Sequence, residues 1–174
     1  LNTVSWQEGK ITEIAKTSSA AIAPQGDRLA YTKNNYLYLW NGTPGQEPVK
    51  KAWIKGNLKG LQWSPSGTKL AMESNRGKAP YRYGFITLYE IASNIVTYCD
   101  ASIYSDSLPS WSPDGSKIAF VRRLTHDRSD ILSIKEFFLP DPWEIRVSDL
   151  TLGTTISVWP SPDWYSYEDV ALKW

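Results

Sequence analysis

The chain has 174 residues, enough for one domain with a sizeable core. Its 19 Lys and Arg nearly balance 18 Asp and Glu, so the net charge of +1 gives no general reason to expect nucleic acid or an anionic membrane as a partner. The single Cys excludes an internal disulfide and a Cys-based metal cluster, and the single His excludes a multi-His zinc site. No apolar run approaches the ~20 residues that span a bilayer, and residues 1–5 are neither basic nor apolar, so we expect no signal peptide.

The first predicted elements are two short strands at 2–6 and 10–15, with a turn at Glu8-Gly9. A repeated pattern follows them along the chain. It consists of a turn of the form Ser-Pro-x-Gly, a basic residue and an apolar triplet, and it lies at 23–31, 64–72 and 112–120. In this turn Pro fixes φ at the second position and Gly tolerates a left-handed backbone at the fourth, so each repeat predicts a hairpin whose second strand is buried.

Each repeat is followed by two more predicted strands. The third strand of each group alternates polar and apolar residues, at 36–40, 84–89 and 143–148, and a weaker last strand follows at 48–54, 94–99 and 154–158. Four short strands in about 40–50 residues are typical of a β-propeller blade. A helical spacing of apolar residues occurs at 129–138 and indicates one short helix.

We therefore predict an all-β chain of four-stranded antiparallel propeller blades, three of them full and the terminal ones incomplete. Residues 1–174 form a single propeller or partial propeller. The predicted blades are 1–20 (partial), 21–58, 59–107, 108–158 and 159–174 (the start of the next blade).

The repeat at 111–120, Trp-Ser-Pro-Asp-Gly-Ser-Lys-Ile-Ala-Phe, resembles the TolB-type (WD40-like) propeller repeat. The same repeat occurs in the non-catalytic propellers of prolyl-oligopeptidase-like peptidases. The segment 63–72 is similar, whereas 22–31 departs from the pattern because Ala23 replaces Ser and Gln25 replaces Asp. The resemblance implies a propeller fold and a protein or peptide partner. The family is common in exported proteins, which favours a periplasmic or extracytoplasmic location without fixing the compartment. The resemblance does not transfer a particular partner, since propellers have many functions.

The two ends bear on how the ring is completed. Residues 170–174 resemble 60–63, so the sequence stops where the next Ser-Pro-x-Gly turn would begin. A ring needs at least about four blades. The alternatives are a four-bladed ring from this chain, a larger propeller of which this is a part, and a ring closed by a second copy of the chain; we favour the larger propeller.

Candidate binding residues lie in the connections between the second and third strands. The connection is tight at Asn34-Asn35, runs from 75 to 83 in the next blade, and expands to about 124–142 in the third. In propellers of this family these connections share one face with the links between blades, and Tyr and Arg are favoured at interface hot spots. The candidates are Arg76, Tyr81, Arg82, Tyr83, Arg123, His126, Arg128 and Phe138. Alternatively, the aromatic side chains only pack the loops onto their own blades.

We predict no catalytic, cofactor-binding or metal-binding residues. His126 lies in a polar segment, 122–128, that is predicted to be a loop, and neither a Gly-x-Ser-x-Gly nucleophile elbow nor a Gly-rich phosphate loop occurs. A basic stretch around Trp53, with Lys50, Lys51, Lys55 and Lys59, could bind nucleic acid, but Lys on an edge strand also prevents aggregation and we favour that role.

Two functions from different classes remain open. The first is a non-enzymatic module that binds a protein or peptide through its loop face. The second is the non-catalytic propeller portion of a prolyl-oligopeptidase-like serine peptidase whose catalytic domain lies outside this chain. A carbohydrate-binding propeller is a third alternative, because aromatic side chains such as Trp159, Trp164, Tyr165 and Tyr167 could form a sugar platform.

Overall fold

A computed structural model describes residues 2–4, 11–13, 16–17, 19–43, 45–77, 83–124, 142–161 and 170–174. Every regular element in these ranges is a β-strand. The helix predicted at 129–138 lies outside the described residues. At the N-terminus, β1 (Asn2–Val4) pairs antiparallel with β2 (Ile11–Glu13), which agrees with the two strands expected there. The predicted turn at Glu8-Gly9 is also outside the described residues.

Three four-stranded antiparallel meanders follow, and they confirm the predicted propeller blades. In each, consecutive strands are hydrogen-bonded neighbours. The first blade contains β3 (Ser19–Ile22), β4 (Leu29–Lys33), β5 (Tyr36–Trp40) and β6 (Val49–Trp53). The second contains β7 (Asn57–Trp63), β8 (Lys69–Arg76), β9 (Tyr83–Glu90) and β10 (Val96–Cys99). The third contains β11 (Ser105–Trp111), β12 (Lys117–Arg123), β13 (Trp143–Asp149) and β14 (Thr154–Pro160).

The repeated turns have the predicted geometry. The backbone N–H of Gly67 donates to the Ser64 carbonyl at 2.9 Å, and Gly115 makes the same bond to Ser112. Gly67 and Gly115 have φ of +67° and +72°, a region that side chains with a Cβ disfavour. Each Ser hydroxyl then accepts the N–H of the basic residue that opens the next strand, so turn and strand start are held together.

The core lies between blades rather than within them. One apolar cluster joins the first and second blades, with Leu37, Ile54, Leu58 and Met72 buried in it. A second cluster joins the second and third blades and contains Ile86, Leu88, Trp111, Ile118 and Phe120. Since a sheet buries both faces only against its neighbours, successive blades must stack. The first strands of successive blades contact each other, which places β3, β7 and β11 on the inner side of the stack.

The recurring Trp of the repeat connects neighbouring blades. The indole N–H of Trp63 donates to the carbonyl of Ala21 in the preceding blade at 3.0 Å. Trp174 makes the equivalent bond to Ser110 of the third blade at 3.1 Å. Trp111 is buried in the same way, but among the residues that the structure describes its indole N–H has no hydrogen-bond partner.

A β-bulge interrupts the first strand of both the second and third blades. The register against the next strand shifts between Lys59 and Gln62 in β7, and between Ser107 and Ser110 in β11. Gly60 and Leu108 occupy equivalent places in the two bulges, with φ of +62° and +54°. Such a bulge bends the strand and redirects the side chains beside it.

The structure corrects the limits of two predicted loops. Arg76 belongs to β8 and Tyr83 to β9, because these strands remain paired up to Arg76 and Tyr83. Arg122 and Arg123 belong to β12 and not to the predicted loop 122–128, because they pair with β11 on one side and β13 on the other. The polarity of these residues indicated a loop, but each contributes its backbone to the sheet.

Candidate binding cleft

A cleft of about 590 Å³ opens between the second and third blades. Its walls are built mainly from the first and second strands of each blade. The lining residues are Asn57, Lys59, Glu73, Asn75, Arg76, Gly77, Tyr83, Ser105, Ser107, Leu108 and Arg123. The volume is within the range of about 300–1,000 Å³ that is typical of ligand pockets in proteins.

The cleft lies at the end of the blades that carries the predicted loop face. Asn57 at the start of β7 pairs with Asn75 near the end of β8, and Ser105 at the start of β11 pairs with Arg123 at the end of β12. The cleft is therefore beside the β8–β9 connection. The link between the second and third blades ends there too, because the Gly84 N–H donates to the Tyr104 carbonyl at 3.1 Å.

Glu73 is the central polar group of the cleft wall, and it is almost fully buried. Its carboxylate accepts the backbone N–H of Leu108 at 3.0 Å and the side-chain amide of Asn75 at 3.3 Å. It also pairs with Lys59 at 3.3 Å, whose side chain is 54% exposed. The space for this carboxylate depends on Gly60, since a Cβ there would lie 3.2 Å from Glu73 Oε1. Glu73 thus holds the two blades together at the floor of the cleft.

Arg76 is held rigidly at the rim. Its guanidinium donates from Nη2 to the Tyr98 hydroxyl at 2.8 Å and from Nε to the Lys55 carbonyl at 3.1 Å. It also lies over the rings of Phe85 and Tyr98, at 4.8 and 5.2 Å. Tyr83 packs edge-on against Phe85 with ring centroids 5.8 Å apart. These contacts fix the charge at the mouth of the cleft with little remaining side-chain freedom.

Three of the residues predicted from the sequence therefore line one cleft: Arg76, Tyr83 and Arg123. Tyr81, Arg82, His126, Arg128 and Phe138 lie outside the described residues. Tyr83 also packs its ring against Phe85 of the same blade, which was the alternative role expected for the aromatic side chains of these loops. The sequence reasoning missed Glu73, which occurs in the middle of a buried strand.

Next to the cleft, β11 and β12 carry a buried ionic network that reaches Asp100 at the end of the second blade. Arg122 makes a bidentate pair with Asp106, with Nε–Oδ1 and Nη2–Oδ2 distances of 2.7 and 2.9 Å. Arg122 also binds Asp100, both at the carboxylate and at the carbonyl, and Asp100 pairs with Arg146 at 3.0 Å. Burial raises the pKa of Asp106 to about 6, although the hydrogen bonds and charge of Arg122 oppose this shift. The network fixes the strands whose other side chains line the cleft.

The remaining sequence candidates lie elsewhere. On the outer strand β6, Trp53 is 56% exposed and Lys50 lies 3.4 Å from the ring centre of Tyr36, so this part of the basic stretch borders a sheet edge. Lys59 of the same stretch lies instead on β7 and lines the cleft. Trp159 packs against Trp143 with centroids 5.0 Å apart, while Trp164, Tyr165 and Tyr167 are outside the described residues. Burial raises the pKa of Cys99 to about 12, so its thiol stays protonated at neutral pH.

Within the ranges that the structure covers, no group of three or more His, Cys, Asp or Glu side chains is placed to hold a metal ion. In those same ranges no helix is sufficiently long and apolar to cross a bilayer.

The fold and its stacked meanders define a set of β-propeller blades. Among solved structures, the chain is similar to the tricorn protease, with a TM-score of 0.63 and 12% identity over 84% of this chain and 15% of that one. It is also similar to the putative TolB of Agrobacterium tumefaciens, with a TM-score of 0.57 and 18% identity over 86% of this chain and 51% of that one. TolB of Acinetobacter baumannii gives the same TM-score and identity over 92% of this chain and 38% of that one.

The chain spans between 15% and 51% of the length of these three proteins. No family model and no curated protein matches the sequence. Similarity at this level of identity establishes the propeller fold and does not identify a binding function.

Proposed function

We propose that this chain is a non-catalytic propeller module that binds a protein or peptide in the cleft between its second and third blades. The observation that carries the proposal is the position of the cleft. It opens at the end of the blades that carries the β8–β9 connection, and it gathers Arg76, Tyr83 and Arg123 on one concave surface. Concave surfaces on a rigid scaffold, lined by a few oriented polar groups, are typical binding sites.

The polar lining favours a peptide over an apolar small molecule. Asn57, Asn75, Ser105 and Ser107 carry amide and hydroxyl groups on both walls of the cleft. These groups can donate to and accept from the N–H and C=O groups that an extended peptide presents along its length. Nucleic acid is not part of the proposal, since the net charge of the chain is only +1.

A displayed library of random peptides, selected on the immobilised protein, tests the proposal. Enriched peptides should lose at least about tenfold in affinity to Ser107→Trp, because an indole at this position fills the cleft. Thr97→Trp, on the exposed face of β10, is the matched control and should leave binding unchanged. Selection of no peptide, or equal effects of the two substitutions, would contradict a peptide site in the cleft.

The absence of catalysis is part of the proposal and has its own test. The protein is incubated with a mixture of synthetic peptides, and the products are analysed by mass spectrometry. We expect no cleavage above that of a heat-denatured control. Cleavage that increases with protein concentration would overturn this part.

A second candidate, the propeller portion of a larger peptidase, is favoured by the similarity to the tricorn protease. Its test is the mass of the native protein under denaturing and native conditions. A denatured mass well above 19.7 kDa, with a Gly-x-Ser-x-Gly segment in the additional chain, would support it. A denatured mass of 19.7 kDa with a native dimer would instead indicate a ring closed between two copies.

A further inference from the structure

We propose that the buried pair of Asp106 and Arg122 is a proton-sensitive element that sets the position of β11 and thereby the affinity of the cleft for its ligand. The proposal rests on the proposed function and adds a regulation of the same site. Asp106 is fully buried, and its neighbours in the chain, Ser105 and Ser107, both line the cleft. Because the three residues share one strand, a displacement of Asp106 also moves part of the cleft wall.

Charged groups from the neighbouring elements form a cluster around Asp106. Arg122 of β12 makes the bidentate pair, and Asp100, in the link after β10, binds the same guanidinium at 2.7 Å. On β13, Arg146 pairs with Asp100 at 3.0 Å and with Glu144 at 2.7 Å. The cluster therefore ties the third blade to the end of the second.

Burial makes the charge of Asp106 depend on pH near neutrality. Desolvation raises the pKa of this carboxyl to about 6, although the hydrogen bonds and charge of Arg122 oppose the shift. Burial also raises the pKa of the Cys99 thiol, on β10, to about 12. Although burial opposes it, hydrogen bonds lower the pKa of Glu144. Cys99 and Glu144 therefore keep their charge over the range in which Asp106 gains or loses its proton.

The proton changes how firmly Arg122 holds β11. The ionised carboxylate of Asp106 accepts two N–H groups of the guanidinium, at 2.7 and 2.9 Å, and such charge-assisted bonds are roughly twice as strong as neutral ones. A protonated Asp106 keeps one carbonyl oxygen as a good acceptor, so Arg122 is then held mainly by the carboxylate and carbonyl of Asp100. Ionisation costs desolvation free energy, and in return the pair fixes the strand in one position.

A second tie holds β11 close to this pair. The N–H of Leu108, two residues beyond Asp106, donates to the Glu73 carboxylate at 3.0 Å. Ser107 lies between the two ties, and both Ser107 and Leu108 line the cleft. When Asp106 is protonated, β11 keeps the tie at Leu108 and is held less firmly at Asp106, so the wall around Ser107 shifts. We therefore expect the cleft to bind its ligand more tightly above about pH 6 than below it.

Nuclear magnetic resonance of the isotopically labelled protein tests the movement of β11. The amide signals of Ser107 and Leu108 and the carboxyl carbon of Asp106 should shift together, with a midpoint at about pH 6, whereas the amide of Leu37 in the first blade should not. The amide shifts should be absent in Asp106→Asn. Because Glu73 contacts Leu108 directly, they should persist in Glu73→Gln.

Two results would overturn the proposal at this stage. One is a set of wild-type amide signals that do not move with the carboxyl carbon of Asp106. The other is an amide shift at about pH 6 that remains in Asp106→Asn. If Asp106→Asn does not fold, the comparison of the amide signals with the carboxyl carbon in the wild-type protein decides the matter.

Binding is measured with a peptide from the library selection that has blocked termini and no His, Asp, Glu or Cys, so that its own charge is constant. Its affinity should fall roughly fivefold or more from about pH 7.5 to about pH 5, the lower end of the usual coupling between two sites. Asp106→Asn should bind at both pH values with the weaker affinity. His126→Gln removes the single His, whose ordinary pKa lies in the same range, and should keep the wild-type pH dependence.

The two proposals fail in different ways. A peptide that is blocked by Ser107→Trp but binds with equal affinity at both pH values would refute the regulation and leave the peptide site standing. The same holds if Asp106→Asn keeps the full pH dependence. If no peptide is selected, the proposed function fails, while the amide signals still show whether the proton on Asp106 displaces β11.

Discussion

The carboxylate of Glu73 in the second blade accepts a 3.0 Å hydrogen bond from the backbone N–H of Leu108 in the third. Glu73→Ala removes this acceptor and should lower the free energy of unfolding by about 1–3 kcal/mol, the usual cost of an unsatisfied polar group. Glu73→Gln keeps a carbonyl oxygen for Leu108 and should cost clearly less. Urea denaturation measures both variants, and equal losses would show that the bond to Leu108 contributes little.

The recurring Trp positions provide a matched pair of substitutions. Trp63 and Trp111 are both nearly buried, but only the indole N–H of Trp63 has an acceptor, at Ala21. Trp63→Phe and Trp111→Phe remove similar ring area, so the area term largely cancels. We expect Trp63→Phe to cost about 1 kcal/mol more in the free energy of unfolding. A larger loss for Trp111→Phe would contradict this assignment of the inter-blade bond.

The protonation of Asp106 makes the free energy of unfolding depend on pH, in a direction set by its raised pKa. Its pKa is raised in the folded protein to about 6 from the ordinary 3.8, so between these values the folded state binds more protons than the unfolded state. Its contribution to stability is therefore present below about pH 4 and is lost as the pH rises through about 6.

Asp114 and Asp149 have pKa values that are lowered by hydrogen bonds, so their contributions to stability increase with pH. Because these groups are present in both proteins, comparing the wild-type protein with Asp106→Asn isolates the contribution of Asp106. The stability of the wild-type protein relative to Asp106→Asn should fall between about pH 4 and about pH 7, by on the order of 2–3 kcal/mol. Denaturation curves across this range measure it. A difference that is constant or increases with pH would contradict a raised pKa.

The two-residue turn between β4 and β5 should respond to its backbone conformation. Asn34 and Asn35 have φ of +51° and +64°, as in the type I′ turn that twists with the flanking strands. Asn35→Gly should raise the free energy of unfolding by a few tenths to about 1 kcal/mol, whereas Asn35→Ala should lower it by roughly 1 kcal/mol, since Ala is disfavoured at positive φ. Thermal denaturation distinguishes the two, and the reverse order would exclude this turn type.

The blades could be predicted from the sequence because their signals are local. The Ser-Pro-x-Gly turn, the apolar triplet and the alternation at 36–40 each extend over a few residues, and the structure forms β4, β5 and the turn at Gly67 as expected. These signals specify which segments become strands. They do not specify which residues of different blades come together.

The cleft and the ionic network arise from contacts that no local pattern indicates. Leu108 is 35 residues from Glu73, and Arg122 is 16 residues from Asp106. The bulge at Leu108 could not be predicted from the residue type either, because Leu rarely adopts the positive φ that it has here. Runs of Arg at 122–123 indicated a loop, and only the pairing of β11 with β12 shows that Arg122 points into the core and Arg123 lines the cleft.

The two interfaces between blades differ at one equivalent pair. Leu58 and Ser74 are partners across β7 and β8, and Asp106 and Arg122 occupy the same places across β11 and β12. A pair of an apolar and a small polar side chain is thus replaced by a buried charge pair that is completed by Asp100, at the end of the second blade. The second and third blades are therefore not interchangeable, although their sequences follow the same repeat. A circularly permuted or blade-swapped chain that separated Arg122 from Asp100 would bury incompletely compensated charge, so the interface chemistry selects one neighbour for the third blade and opposes misassembly during folding.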